Sequence, residues 1–566
     1  MNRTLRKIGL AGNVLKSIVM FSANEIRRGT FLKNVSGVLR TEIREEMSWG
    51  ELMEEKAGRY KDRVFLMFED KTFTYRQMNE NANRMANYFL SLGGGQGKGV
   101  AMIMDNSPRF LDVFIGIQKI GMYAVPVNTS LKGDSLLYIL NHCDAQYLVI
   151  DETHLETLQK IADRLENIRT IIVNPTSPPS AKYPQNYPVL DEAYGCSPAN
   201  PGIGYRKDDL CFITYTSGTT GLPKGVVYRY RKSSVKLLSL VAGMLFKKSD
   251  VLYTAMPLFH GNALFVTVTN ALHVGAKVAL AKKFSASRFW DDIRKYHVTT
   301  FNTIGAMIPI LLKQPEKPTD KQHNVRFIIS AACPADLWET FEKRFGVTIY
   351  EAYGAVDGGG KTIMNLGTAP VGSIGKPPMK VKYRIVDAEM NDVPDGTPGE
   401  LIFPVSDKKS TSSVEYYKNE KASSEKMSKG YIFTGDLVKR DSGGYLYFIG
   451  RNTESMRIKG ENVSAFEVEQ AIQKHPDVLE AAVYAVPSEL AEDDIMATIT
   501  LVEGRKLKES DLIEDLKENL PKFAVPRYIK IVPELPKTET HRIKKKELEV
   551  LKVVPGTWDE NKKAYV

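Results

Sequence analysis

One stretch, YTSGTTGLPKG from Tyr215 to Gly225, indicates the fold of this chain. A strand-like apolar run precedes it, and it combines three glycines, four Ser or Thr hydroxyls and one lysine. Glycines let backbone N–H groups approach a ligand and form a concavity that holds anions. Hydroxyls donate to phosphate oxygens, and lysine adds a compact positive charge. We therefore predict a polyphosphate-binding loop, whose contacts are Thr216, Ser217, Gly218, Thr219, Thr220, Gly221 and Lys224.

Two other interpretations of this loop are weaker. A Walker-type P-loop requires Ser or Thr directly after its Gly-Lys pair. Here Gly225 follows Lys224, which excludes that class of NTPase. A merely flexible loop is disfavoured, because the length and composition of the stretch are typical of a specific motif.

Helical and strand-like segments alternate on both sides of the loop. Apolar spacing predicts helices at 49–60, 77–92, 109–120 and 286–296, and strands at 64–68, 72–75, 100–104, 210–214, 251–254, 277–280 and 327–330. The Pro- and Ser-rich segment 175–201 is predicted to be a surface connection. This alternation predicts an α/β fold, with a large N-terminal domain of mixed, largely parallel sheets layered with helices.

A second, smaller unit follows near the C-terminus. Short strands and turns begin at Gly399, and from Ala465 a helix, two strands and another helix succeed one another. That order is typical of a small α+β domain. We divide the chain into an N-terminal extension at 1–47, a large domain at 48–450 and a small, mobile C-terminal domain at 451–566.

Bulk composition narrows the class of protein. The chain has 566 residues, of which 43% are hydrophobic and 25% charged, so disordered and collagen-like classes are excluded. The formal net charge of +10 suits phosphorylated ligands or an anionic membrane surface, and no nucleic-acid-binding pattern accompanies it. The four cysteines lack CxxC spacing, which argues against a zinc site and favours reduced thiols in the cytoplasm.

The segment 1–40 carries eight basic residues, among them Arg3, Arg6, Lys7 and Lys16, against the single acid Glu25. Apolar residues interleave with them, as in a basic amphipathic helix that lies on an anionic surface. Peripheral contact with the inner face of a membrane and an extra helix packed on the domain both remain open. No apolar run reaches the ~20 residues that span a bilayer.

Further motifs follow the loop in a fixed order: PLFHG at 257–261, SAACP at 330–334, YEAYGAVD at 350–357, YIFTGD at 431–436, Gly450-Arg451, and KGENV at 459–463. Together with the loop they resemble the adenylate-forming superfamily, which includes acyl-CoA synthetases, peptide-synthetase adenylation domains and firefly luciferase. The resemblance extends from Ser48 to Leu548.

The resemblance implies a role for each motif. His260 lines the acyl site, the loop at 331–332 and Tyr353 contact adenine, and Asp436 with Arg451 binds the ribose hydroxyls. The ATP- or AMP-binding residues that it implies beyond the glycine-rich loop are Ala331, Ala332, Glu351, Ala352, Tyr353, Gly354, Asp436 and Arg451. Lys459, Gly460, Glu461 and Asn462 form the turn that lines the coenzyme A tunnel after the small domain rotates.

Three positions depart from the family's pattern. Asp357 stands where a glutamate usually holds Mg²⁺, and its shorter side chain favours contact through water, with Thr216 as the second ligand. Thr453 replaces the usual hinge residue. Arg542 occupies the position of the lysine that bridges the carboxylate and the α-phosphate, with Lys544, Lys545 or Lys546 as substitutes. The catalytic candidates are thus Lys224, His260, Arg542 and Lys545.

The implied reaction has two steps and uses ATP, Mg²⁺ and coenzyme A. The acid's carboxylate attacks the α-phosphorus of ATP and releases pyrophosphate, and then the thiol displaces AMP. Segments 283–292 and 459–464 look like very-long-chain acyl-CoA synthetases related to fatty-acid transport proteins, and predict a medium- to long-chain fatty acid. Segment 536–540 also looks like carnitine or crotonobetaine ligases.

Two rivals belong to other classes of protein. An enzyme that loads a carrier protein is expected to carry a fused carrier domain, which the sequence does not show. A non-catalytic nucleotide- or acid-binding homologue is left open by the changes at Asp357, Thr453 and Arg542.

Overall fold

The structure is a computed structural model that describes residues 48–175, 187–206, 208–216, 223–230, 245–304, 307–354, 357, 362–377, 381–405, 414–451, 455–458, 461–487, 493–520, 522–538 and 542–566. The predicted extension at 1–47 lies outside these residues. Among the described helices, none combines the length and the apolar character that crossing a bilayer requires.

The described α-helices are α1 (Trp49–Tyr60), α2 (Tyr75–Ser91), α3 (Pro108–Gln118), α4 (Gly133–His142), α5 (Leu155–Gln159), α6 (Asn270–Val274), α7 (Phe289–Lys295), α8 (Met307–Leu312), α9 (Ala335–Phe345), α10 (Glu420–Lys426), α11 (Ala465–Gln473), α12 (Glu509–Asn519) and α13 (Lys545–Leu551). A π-helix, Asn262–Thr269, runs directly into α6. Short 3₁₀ turns span Glu152–His154, Ala162–Arg164, Leu190–Gly195 and Lys522–Ala524.

The described strands of the large domain are β1 (Val64–Phe68), β2 (Lys71–Thr74), β3 (Gly99–Ile103), β4 (Tyr123–Pro126), β5 (Ala145–Asp151), β6 (Thr170–Asn174), β7 (Leu210–Thr216), β8 (Lys224–Arg229), β9 (Val251–Thr254), β10 (Lys277–Leu280), β11 (Thr300–Ile304), β12 (Phe327–Ala331), β13 (Thr348–Gly354), β14 (Thr362–Asn365), β15 (Arg384–Val386), β16 (Gly399–Pro404), β17 (Tyr431–Arg440) and β18 (Leu446–Arg451). Those that follow are β19 (Ser455–Ile458), β20 (Glu461–Ser464), β21 (Val478–Pro487), β22 (Asp493–Leu501), β23 (Tyr528–Ile531), β24 (Trp558–Asp559) and β25 (Ala564–Tyr565).

Two large sheets form the body of the N-terminal domain. The order of the first is β14-β13-β12-β11-β9-β10-β1-β2, and that of the second is β6-β5-β3-β4-β7-β8. All neighbours pair in parallel except at the edges, where β2, β14 and β8 run antiparallel. One continuous apolar cluster, to which α2 and α3 contribute, packs against both sheets. The predicted α/β class with mixed, largely parallel sheets is confirmed.

Two smaller units complete the chain. An antiparallel sheet, β15-β16-β17-β18, follows the large sheets. The C-terminal region contains the hairpin β19-β20 and the sheet β21-β22-β23-β24-β25, against which α11 and α12 pack. This agrees with the predicted small α+β domain. The predicted division after residue 450 falls at the end of β18, and it stays a prediction.

Two local predictions were wrong. The second hairpin strand ends at Thr74 rather than Tyr75, because Thr74 caps α2: its hydroxyl accepts from Gln77 N while the Gln77 side chain accepts from Thr74 N. The segment 175–201 is not entirely a surface connection, since it contains the 3₁₀ turn Leu190–Gly195. Leu190 and Ala193 of that turn are fully buried.

Helices α2 and α3 approach each other closely at Gly116, which gives a test of the packing. A Cβ at Gly116 would lie 2.6 Å from the Ala82 carbonyl oxygen and 2.7 Å from Met85 Cβ. We expect Gly116→Ala to lower the free energy of unfolding by about 1–3 kcal/mol through overpacking. The matched control is Gly58→Ala in α1, where nothing lies within 4 Å of the added methyl group; it should raise that free energy by about 0.5–1 kcal/mol. Denaturant unfolding of the full chain measures both, and equal effects of the two changes would contradict the assigned helix contact.

Candidate nucleotide- and acid-binding site

The predicted phosphate loop connects β7 to β8, and Thr216 pairs with Lys224 across this antiparallel hairpin. The Thr216 hydroxyl donates to the Lys224 carbonyl oxygen at 3.4 Å. The Lys224 ammonium lies 5.4 Å from the centroid of the Tyr416 ring, a cation–π distance. The other predicted contacts lie outside the described residues: Ser217, Gly218, Thr219, Thr220 and Gly221.

Tyr416 connects this hairpin to the predicted metal ligand. Its hydroxyl donates to Asp357 Oδ2 at 2.6 Å, and Lys426 Nζ lies 3.2 Å from the same oxygen. Lys426 ends α10 and also donates to the Thr434 carbonyl oxygen at 3.2 Å. Its ammonium group therefore lies between the Asp357 carboxylate and the strand that carries Asp436.

The Asp357 carboxylate is held in its ionised form. Burial by itself raises the pKa of Asp357, but the charge of Lys426, the Tyr416 hydroxyl and the charge of Arg451 outweigh it and leave the pKa below its usual value. An ionised carboxylate is a suitable hard ligand for Mg²⁺.

Asp357 is better suited to bind Mg²⁺ through a water molecule than by direct contact. Lys426 already neutralises Asp357 Oδ2 and repels a dication. Mg²⁺ commonly keeps several of its waters, and a water-mediated contact separates the two positive charges. The Thr216 hydroxyl uses its proton on the Lys224 carbonyl, so its lone pairs remain for a cation or its waters.

Asp436 is a buried carboxylate between β17 and β18, where it pairs with Arg451. Arg451 Nε lies 2.8 Å from Asp436 Oδ1, and the Tyr353 hydroxyl donates to Oδ2 at 2.6 Å. Burial raises the pKa of Asp436, while Arg451 and Tyr353 oppose that rise. The three predicted nucleotide contacts are therefore brought together on two different sheets.

The remaining predicted adenine contacts share one sheet edge. Ala331 ends β12, and Ala352, Tyr353 and Gly354 end the neighbouring parallel strand β13. In α/β sheets, ligands bind outside the carboxyl ends of parallel strands. The Tyr353 hydroxyl already donates to Asp436, so the ring is the part of the Tyr353 side chain that remains to contact a nucleotide.

Glu351 shapes the adjacent loop. The backbone N–H groups of Ala332 and Cys333 both donate to its carboxylate, the second at 3.2 Å. Burial raises the pKa of Glu351 to about 7, although these donors oppose the rise. Ala332 has a φ of +65°, a conformation that residues other than glycine seldom adopt. The geometry gives Glu351 a positioning role for the loop, and its predicted nucleotide contact stays a prediction.

The loop that carries His260 is fixed by Asn106, which follows β3 of the other large sheet. The Asn106 amide donates to the carbonyl oxygens of Met256 at 3.0 Å and Ala281 at 2.9 Å. Its own carbonyl accepts from Leu258 N at 2.7 Å. One buried side chain thus holds the loop to both sheets.

His260 lies within range of the charge of Arg542 in the C-terminal region, and we call the space between these two residues the cleft. The side chain of His260 is exposed to solvent, although protein surrounds its ring. Dehydration and then the positive charge of Arg542 lower the pKa of His260, so the imidazole is neutral at neutral pH. The structure therefore brings Arg542 close to the predicted acid-binding histidine.

The neighbouring lysines point elsewhere. Lys545 Nζ pairs with Glu469 at 2.9 Å, Lys544 Nζ with Glu547 at 3.0 Å. Both partners lie within the C-terminal region. Of the two predicted basic residues Arg542 and Lys545, the structure pairs Lys545 with a glutamate of its own region.

The predicted coenzyme A turn connects β19 to β20. Lys459 and Gly460 lie outside the described residues, and Glu461 and Asn462 pair through their backbones with Ile458 and Arg457.

Sequence reasoning missed three residues that organise the site: Asn106, Tyr416 and Lys426. A polar residue after a buried parallel strand is a signal that could have identified Asn106. Tyr416 and Lys426 reach Asp357 across 59 and 69 residues of sequence, and no local pattern distinguishes them from a surface tyrosine and lysine.

Comparisons with known proteins agree with this geometry. The family model of AMP-binding enzymes matches residues 53–404, and that of the AMP-binding enzyme C-terminal domain matches 467–542. A medium/long-chain-fatty-acid–CoA ligase of Mycobacterium tuberculosis is 31% identical and covers 88% of this chain and 85% of its own. A crotonobetaine/carnitine–CoA ligase of Salmonella paratyphi B is also 31% identical and covers 88% of this chain and 98% of its own.

A solved structure supports the same assignment. An anthranilate CoA ligase in complex with anthranoyl-AMP superposes with a TM-score of 0.79 at 26% identity, and covers 89% of this chain and 97% of its own. With both domain models matched in order and relatives that align over most of its length, this chain belongs to the AMP-binding enzyme family.

Proposed function

We propose that this protein is an AMP-forming acid–thiol ligase that activates a medium- to long-chain fatty acid with ATP and transfers the acyl group to coenzyme A. The observation that supports the proposal is that the charge of Arg542 acts on His260, in a chain that belongs to the AMP-binding enzyme family. In the proposal, Arg542 is the permanent cation at the point where a carboxylate meets the α-phosphate.

ATP fits this site with a separate group of residues for each of its parts. The ribose hydroxyls donate to Asp436, whose charge Arg451 and Tyr353 sustain. The adenine lies against the loop at 331–333, which Glu351 holds open. The polyphosphate lies along the β7–β8 hairpin near Lys224.

Adenylation then requires little from the protein beyond position and charge. The acid's carboxylate attacks the α-phosphorus, the bond to the bridging oxygen breaks, and pyrophosphate leaves with the electron pair. Mg²⁺ held near Asp357 and Thr216 would neutralise part of the phosphate charge. Arg542 stabilises the charge that develops between the two reactants, and the neutral His260 can donate a hydrogen bond to the carboxylate without competing for its charge.

The fatty-acid assignment rests on the relative and on the residues after His260. The π-helix Asn262–Thr269 is a rare element that often marks a functional site. Phe265 of this helix is half-buried, and its ring lies 5.7 Å from that of Tyr228. An apolar acyl chain suits such a wall.

A carnitine-like acid is the second candidate, because a relative of equal identity is a crotonobetaine/carnitine–CoA ligase. Polar contacts between the same π-helix and β11 favour it: Thr267 donates to Asn302 at 2.7 Å, and Asn302 donates to Asn262.

A panel of acids separates these candidates. We expect coenzyme A-dependent AMP release to rise with chain length, because each buried methylene contributes about 0.8 kcal/mol to binding. Acids from C4 to C18, carnitine, crotonobetaine and benzoate are each supplied with ATP, Mg²⁺ and coenzyme A.

Activity confined to carnitine-like or aromatic acids would contradict the fatty-acid assignment and leave the ligase reaction intact. If no acid releases pyrophosphate, the non-catalytic rival is correct. Release of pyrophosphate without any acyl-CoA would instead favour a carrier-loading enzyme.

Alanine substitutions decide which basic residue serves adenylation. We expect Arg542→Ala to slow acid-dependent exchange of pyrophosphate into ATP by about 10²–10³-fold, the usual effect of removing one group that stabilises transition-state charge. Arg542→Lys should recover part of the rate, because a lysine keeps the charge but not the planar geometry.

Lys545→Ala is the matched comparison, since its ammonium pairs with Glu469 away from the cleft. Its exchange rate should stay within a few-fold of the wild-type rate. The assignment of Arg542 is wrong if Lys545→Ala is the slower of the two.

Membrane contact through residues 1–40 is a further part of the proposal, and it is supported by the basic, apolar pattern of that segment. We expect the full chain to co-sediment with vesicles that contain anionic phospholipid and to bind neutral phosphatidylcholine vesicles less tightly. Each basic residue near such a surface contributes about 1 kcal/mol.

Replacing Arg3, Arg6, Lys7 and Lys16 together by glutamine should therefore release most of the protein, as should high salt. Equal binding to both kinds of vesicle would show that the segment does not dock through its charge.

A further inference from the structure

Lys313, which directly follows α8, makes a contact with the C-terminal region. Its Nζ donates to the carbonyl oxygen of Leu479 in β21 at 3.0 Å. These two residues are separated by 166 positions, and they lie in the parts of the chain matched by the two different domain models. The contact therefore joins the large domain to the predicted mobile domain.

An irregularity in β21 accounts for the exposed acceptor. Val478 pairs with Leu501 and Glu480 with Thr500, so Leu479 is the extra residue of a bulge in this ladder. A bulge leaves the inserted residue without a partner across the strands. The Leu479 carbonyl is thereby released for a partner outside the sheet.

Glu480, the residue after Leu479, extends this contact towards the segment that carries Arg542. Glu480 is buried, and Lys537 Nζ lies 2.5 Å from its carboxylate. The same carboxylate attracts the Lys313 ammonium. Glu480 therefore stands between a lysine of the large domain and a lysine of the C-terminal region.

Lys537 lies on the turn that carries Arg542. It bridges to Ile543, while Thr538 N donates to the Arg542 carbonyl at 2.8 Å and Arg542 N donates to the Thr538 hydroxyl at 3.1 Å. A continuous series of contacts thus runs from Lys313 through the β21 bulge and Lys537 to the backbone of Arg542.

We propose that Lys313 is a positioning residue for adenylation: it latches the C-terminal domain, through Leu479 and Glu480, in the orientation that brings Arg542 to His260. The proposal rests on the proposed two-step function, in which the same domain must leave this orientation before the thiol attacks. Only adenylation, the first step, requires the contact of Lys313 with the C-terminal domain.

The chemistry of the contact suits a latch that opens. A carbonyl oxygen is a neutral acceptor and compensates a buried ammonium only in part. Burial lowers the pKa of Lys313 to about 8, although Glu480 opposes that change. Such incomplete compensation of the Lys313 ammonium suits a contact that forms in one orientation of the domain and breaks when the domain rotates.

The test compares the two half-reactions in the full-length protein, with whichever acid supports the reaction. In Lys313→Gln, pyrophosphate exchange should fall about tenfold, as for loss of a hydrogen bond to a charged group. Formation of acyl-CoA from supplied acyl-AMP and coenzyme A should be unchanged. Lys313→Arg retains the positive charge and the length of the side chain, both of which Gln loses, and should restore most of the exchange. Lys317→Gln, which changes an exposed lysine on the same segment, is the matched control.

A double substitution separates the latch from general damage. If Lys313 acts through Arg542, adding Lys313→Gln to Arg542→Ala should slow exchange no further. Multiplicative losses, or equal losses in both half-reactions, would overturn the proposal.

A measurement that does not depend on enzyme turnover tests the latch separately from the proposed function. Hydrogen–deuterium exchange of the full chain should rise at 478–480 and 307–313 in Lys313→Gln and not in Lys317→Gln. Unchanged protection would refute the latch even if the enzyme is active. Altered protection in a protein that activates no acid would keep the contact and refute the reaction.

Discussion

The buried carboxylate of Asp436 is the constraint on which the site depends. A charge taken out of water is costly unless hydrogen bonds and opposite charge compensate it. Here Arg451 supplies the charge from β18, and Tyr353 supplies the hydroxyl from β13 of another sheet. Satisfying one carboxylate therefore fixes the edge of the large parallel sheet against the smaller antiparallel sheet, and the proposed nucleotide site lies along that junction.

The same balance, between the cost of burying a carboxylate and the charge that compensates it, applies to Asp357, which departs from the family's usual glutamate. A carboxylate shorter than the family's glutamate is joined by Lys426 and Tyr416, which keep it ionised and occupy one of its oxygens. In our proposal, the positive charge that a metal supplies to the phosphates is supported by a lysine of the chain itself. We therefore interpret the aspartate at position 357 as a change in how charge is distributed within the site, and not as the loss of a metal ligand.

Charge also relates the two domains. Arg542 faces His260, while Lys544 and Lys545 are paired with glutamates of their own region. Within the basic run at 542–546, Arg542 thus acts on the charge state of His260, whereas Lys544 and Lys545 form ion pairs within the C-terminal region. In our proposal, the hydrogen bond of Lys313 to Leu479 suits a domain that serves two half-reactions in turn, because one hydrogen bond can break when the domain rotates.

The sequence by itself determined the α/β class, the alternation of elements and the family, because apolar periodicity, the glycine-rich loop and the ordered motifs are local signals. It could also name Asp436, Arg451 and His260, since each lies within such a motif. Only the tertiary structure decided that Glu351 shapes a loop, that the charge of Arg542 acts on His260, and that Asn106, Tyr416 and Lys426 contact the predicted site. The physical reason is that a charge or hydrogen bond acts over a few ångströms of space, and these partners are separated by tens to hundreds of residues along the chain.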